Sequence, residues 1–157
     1  MFLESLVIRN EETIIREIPF HKGINLIVDE TLSPNKTESG NGVGKTTVLR
    51  LIDFCLDGYG KNIYIDPEFK NTNQKIESFL KENNIIITLT LVADIDDPKS
   101  RRIVIDRNFL NYKNKIQRIN EESLSNEEFS SKLKELIFDS TAKNPTLKQL
   151  KSKKHKR

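Results

Sequence analysis

The chain has one cysteine, one methionine, no tryptophan and only six glycines in 157 residues. A lone Cys55 excludes an internal disulfide, and its place on an apolar helical stripe makes it a core residue rather than a nucleophile. No stretch approaches the roughly 18 consecutive apolar residues of a membrane-spanning helix. The N-terminus has no basic segment followed by an apolar one, so no membrane association and a cytoplasmic location are expected. Acid is missing from one region: after Asp139 come Lys143, Lys148, Lys151, Lys153, Lys154, Lys156 and Arg157, seven positive residues with no carboxylate among them. The net charge of +3 therefore divides into an acidic body at −4 and a basic end. Residues 151–157 can grip nucleic-acid phosphates or stand as a solvated terminus, and no aromatic stacking residue accompanies them.

Composition is otherwise that of a folded domain, 36% hydrophobic and 31% charged, long enough to bury roughly two-thirds of its unfolded surface. Ser39-Gly40-Asn41-Gly42-Val43-Gly44-Lys45-Thr46-Thr47 follows the apolar run Ile24-Asn25-Leu26-Ile27-Val28, which reads as a buried strand. Glycines at 40, 42 and 44 let the backbone curl until successive N–H groups converge on phosphate oxygens, a concavity that Cβ atoms would obstruct. Lys45 is placed to reach the β- and γ-phosphates of ATP, and the Thr46 hydroxyl to ligate Mg²⁺. A helix starting near Gly44 would add its free N–H groups and its dipole.

That helix is legible in Val48, Leu49, Leu51, Ile52, Cys55 and Leu56, with Gly58 and Gly60 as its stop. Arg50, between those apolar positions, reads as a solvent-exposed side chain or a phosphate contact. Leu3 to Ile8 and Thr13 to Ile18 read as an antiparallel pair leading into the Ile24–Val28 strand. Residues 30–38 are polar and turn-prone, either a flap over the nucleotide or a surface insertion. Further on, Asn73 to Asn83 has helical spacing in Ile76, Phe79 and Leu80. Ile85 to Val92 and Arg102 to Phe109 form a β-hairpin about the Asp96–Ser100 turn, and Asn126 to Phe138 is a helix capped by Ser125 or Asn126 with Phe129, Leu133, Leu136 and Ile137 inward.

The opening MFLESLVIRN…IREIPFHKGINLIV followed by SGNGVGKTTVLRLIDFCL resembles the N-terminal half of an ATPase head of the SMC and double-strand-break-repair branch of the ABC superfamily. Within that branch it is similar to bacterial SMC-like proteins related to recombination-repair and anti-phage systems. The resemblance implies an α/β P-loop NTPase fold: the N-terminal lobe of an SMC/ABC-type head, with antiparallel β-hairpins flanking the phosphate-loop strand and helix. It implies 1–150 as the head half, 151–157 as a basic tail, and a truncated chain. It also implies ATPase activity only when a missing C-terminal half or a second head supplies the acidic Mg²⁺ motif and the signature motif, with head–head closure across ATP and action on DNA backbone. By the same resemblance Gln149 occupies the place of the glutamine that senses Mg²⁺ and the γ-phosphate. Gln149 also reads as an ordinary polar residue near a frayed end, and Gln117 is a weaker candidate for that role. Two departures stand out: Ser39 replaces the first loop glycine, and Asn10-Glu11-Glu12 stands where relatives place a basic residue. With no paired carboxylates at a strand end and no signature motif, the alternative is a non-catalytic nucleotide-binding module or a nonfunctional remnant.

Overall fold

The computed structural model describes residues 1–27, 45–66 and 68–139. Its strands are β1 (Phe2–Arg9), β2 (Ile14–Pro19), β3 (Ile86–Val92), β4 (Arg102–Asn108), β5 (Gln117–Ile119) and β6 (Glu122–Ser123). The helices are α1 (Lys45–Cys55), α2 (Gln74–Glu82) and α3 (Asn126–Phe138). All six strands lie in one sheet in the order β2-β1-β3-β4-β5-β6, and every pairing is antiparallel.

Register explains where the core sits. Leu6 faces Leu89, Leu89 faces Ile105, and Ile105 faces Ile119, so four fully buried aliphatic side chains run across four strands on one face. Burying a side chain of this size contributes about 1.5–3 kcal/mol. Because the pleat alternates, the neighbouring row Val7, Thr88, Asp106 and Arg118 points to the opposite face. α1 packs on the apolar face against β3 and β4, and α3 against β5. Leu51, Phe54 and Cys55 of α1 and Phe129 and Leu133 of α3 complete the core.

The short hairpins follow from local chemistry. Between β1 and β2, the Asn10 carboxamide oxygen accepts from the Glu12 and Thr13 amides, an Asx turn. Asn73 caps α2 by accepting from Ile76 N. Ser125, one of the two cap candidates, caps α3 in a reciprocal box with Glu128.

Several expectations are corrected. The α/β P-loop arrangement does not hold: the sheet of the described residues is wholly antiparallel, and Ile24–Ile27 form no strand. A parallel central strand needs neighbours to satisfy its backbone, whereas β1, β3 and β4 satisfy one another through antiparallel pairing, leaving Ile24 88% and Leu26 79% exposed. Leu49, expected on the inner stripe of α1, is 62% exposed, and Phe54 takes the inward position instead. Arg50 is half-buried rather than exposed. The stop of α1 comes from Asp57, left-handed at φ 69°, rather than from a glycine in that conformation. Gly58 matters for a different reason, since a Cβ there would lie 2.6 Å from the Asp53 carbonyl oxygen. In α2 only Leu80 of the three apolar positions is buried. Residues 30–38 and the basic end lie outside the described residues.

Candidate functional site

Of the residues that read as a phosphate loop, Ser39, Gly40, Asn41, Gly42, Val43 and Gly44 lie outside the described residues, as does Gln149. Lys45, Thr46 and Thr47 form the opening turn of α1, with Thr46 exposed and Thr47 half-buried. No acidic side chain occupies this turn, so the positive end of the helix dipole is not offset from within the helix. A hydroxyl is a hard oxygen donor of the kind Mg²⁺ accepts beside phosphate oxygens and water. Among the described residues no group of three or more His, Cys, Asp or Glu is placed to hold a metal. The Thr46 hydroxyl is one such oxygen donor, exposed on this turn.

The other end of α1 is anchored by an arginine from the sheet. Arg107, on the apolar face of β4, is only 8% exposed. Its guanidinium lies over the Phe54 ring at 4.3 Å and the Phe129 ring at 5.1 Å, and it donates to the Phe54 carbonyl and to the Gly58 carbonyl at 3.3 Å. α1 has no basic residue in its own last turn, so β4 supplies the cation that its C-terminal carbonyls favour. Burial pulls the Arg107 pKa below its ordinary value, while the Asp57 and Asp53 carboxylates oppose the shift. Phe109 stacks on Phe54 with centroids 4.6 Å apart, closing the aromatic layer. Cys55 is fully buried beside it and donates weakly to the Ile87 carbonyl at 3.8 Å. Burial pushes its thiol pKa far up, which fits a core residue and not a nucleophile.

The opposite face of the sheet carries a charged cluster. Thr88 donates to Asp106 at 2.5 Å, Arg9 reaches Asp106 at 3.4 Å and Thr88 at 3.2 Å, and Arg118 lies 3.8 Å from the second Asp106 oxygen. Two cations and a hydroxyl around one carboxylate make an electrostatic tie across β1, β3, β4 and β5. Gln117 is buried in β5, its amide donating to the Leu124 carbonyl and the Asn126 oxygen at 3.3 Å each. Those bonds give Gln117 a structural task in the turn leading to α3. Asp94, Asp96 and Asp97 sit between β3 and β4 as expected, with Asp96 bound to Lys22 at 2.6 Å. Nothing in the sequence pattern flagged Arg107. An arginine at an apolar register position of a strand was the available signal.

Comparison with known proteins adds one relative. The chain is 33% identical over 95 residues to the uncharacterized protein YydD of Bacillus subtilis (strain 168). The match covers 60% of this chain and 14% of that protein, so the chain spans a small part of the relative it resembles. No family model matches the chain. No solved structure matches it either. Among the described residues no helix is long and apolar enough to cross a membrane.

Proposed function

We propose that residues 39–47 bind Mg·ATP and that the chain is the nucleotide-binding part of a cytoplasmic SMC-like ATPase acting on DNA in repair, recombination or anti-phage defence. The reading rests on the motif and its helix and not on the sheet. Its main support is that an amphipathic helix begins at Lys45, directly behind Gly-x-Gly, with Thr46 exposed in an acid-free first turn. Hydrolysis in this proposal needs acidic and signature motifs from a further segment or a second head. The 88% exposure of Ile24 favours such a complement, because an isolated apolar run gains from being covered.

Calorimetry on the full chain tests nucleotide binding. Mg·ATP should bind with Kd between about 1 μM and 1 mM, roughly −8 to −4 kcal/mol. Lys45→Ala should abolish binding, and Thr46→Ala should chiefly reduce its Mg²⁺ dependence. Equal ATP affinity of the wild type and Lys45→Ala overturns the assignment. ATP binding with no turnover in the presence of any complementing segment instead favours a non-catalytic module.

A further inference from the structure

A pocket lies at the C-terminal end of α1. An 11-residue helix is about 16 Å long, so this pocket is separated by that length from the proposed ATP site. It has a volume of about 330 Å³, at the lower edge of the usual range for small-molecule sites. Its walls come from the Asp57–Lys61 turn after α1, from β4 and the following loop at Arg107–Asn111, and from Lys115.

The charge on these walls is one-sided. Lys61, Lys81, Arg107 and Lys115 line the pocket, against the single carboxylate of Asp57. Lys81 is engaged by Glu77 at 2.5 Å. Arg107 and Lys115 are different, because the groups that accept their hydrogen bonds are neutral, backbone carbonyls for the first and the Asn126 carboxamide oxygen for the second, with the Asp57 carboxylate acting on both only through space. The Arg107 Nε is also buried without a hydrogen-bond partner. Lys115 has its pKa drawn down, by burial first and by the Arg107 charge second. Holding two cations together in a partly desolvated recess costs free energy that a bound anion would offset. The turn that forms one wall is shaped for closeness: a Cβ on Gly60 would meet the Phe54 ring at 3.1 Å and the Phe109 ring at 3.3 Å. Tyr59, 68% exposed, stands on the same turn and offers a flat apolar surface beside the charges.

We infer that this pocket is a binding site for a small phosphate-bearing molecule, held by Arg107, Lys115 and Lys61. A doubly charged phosphate matches a recess with several cationic donors better than a monocarboxylate does, and the tyrosine and phenylalanine rings leave room for an apolar portion of the ligand.

Inorganic phosphate is the first probe, titrated into the full-length Lys45→Ala chain so that the loop at 39–47 does not contribute. Amide resonances of Gly58, Tyr59, Gly60 and Lys61 should shift saturably with phosphate and not with chloride at equal ionic strength. Lys115→Gln should weaken the response about tenfold, the usual effect of losing one charge-assisted hydrogen bond. Lys115→Arg, which keeps the charge, should retain most of it. Unmoved amides, or an equal response in Lys115→Gln, would overturn the site. Failure of ATP binding in the wild type would not, since that concerns the other end of the helix.

Discussion

Arg107 shows how a single residue can order its surroundings. Stacked on Phe54 and Phe129 and donating to the carbonyls at the end of α1, it ties β4, α1 and α3 together without a carboxylate among its hydrogen-bond partners. Cys55, next to Phe54 in the same layer, is sealed by this arrangement. Its thiol donates to Ile87 and is fully covered, with its pKa raised mainly by burial. Thiolate is the reactive form, so both access and ionisation act against modification in the native state. Iodoacetamide should therefore label the native chain negligibly at pH 8 and label it readily in urea, with labelling that follows global unfolding monitored by circular dichroism. Fast labelling under native conditions, uncorrelated with unfolding, would mean that the layer around Cys55 opens locally.

At the scale of elements, β1 is held to the sheet by more than its ladder. Register shifts between Leu3 and Ser5, which places Glu4 at an irregularity in the β1–β3 pairing. From there its carboxylate receives Arg102 of β4 through both oxygens, at 2.8 to 3.1 Å, reaching past β3. The Arg102 hydrogen bonds hold the Glu4 carboxyl below its ordinary value, partly opposed by burial. A carboxylate with a lowered folded pKa contributes stability above its unfolded value near pH 4.3, and that contribution is lost as pH falls through the folded value. Glu4→Gln should thus lower the urea midpoint modestly at pH 7, with the gap to wild type closing in acid. A gap that persists at acid pH would show the cost to be packing and not charge. The pair is partly solvated, so the effect should also shrink in high salt.

Elements whose signal is local were legible in the sequence. The cap candidates Ser125 and Asn126 and the β-branched run of β3 gave α3 and the β3–β4 hairpin nearly to the residue, because caps and alternation act within a few positions. Ile24–Val28 read as a strand on apolarity alone, yet a strand also needs neighbours, and no string of five residues carries information about them. For the same reason β5 and β6 passed unread: three and two residues long, they exist through pairing with β4 and with each other. Of the candidate site, residues 39–44 lie outside the described residues, the helix behind them was placed within a residue, and the outward turn of Leu49 was not foreseen, since the sheet decides which part of an apolar stripe is covered.

For the molecule as a whole, the distribution of acids bears most directly on what it can do. Phosphoryl transfer to water needs a positioned nucleophile and stabilisation of the charge that develops. Three of the described acids have other tasks: Asp106 lies within the Arg9–Thr88–Arg118 cluster, Asp96 pairs with Lys22, and the Asp97 carboxylate accepts from the Lys99 amide at 2.9 Å. Meanwhile Ile24 and Leu26 stand exposed after β2, and among the described residues no strand pairs with the outer side of β2. Apolar side chains this exposed gain free energy when covered. The purified chain should accordingly hydrolyse ATP no faster than a Lys45→Ala control in a phosphate-release assay. Adding a polypeptide that carries an apolar strand ending in two carboxylates, together with the signature motif, should produce turnover, and that turnover should disappear with Lys45→Ala. Hydrolysis by the chain alone that survives purification to homogeneity and is lost in Asp106→Asn would instead place the catalytic carboxylate on the sheet itself.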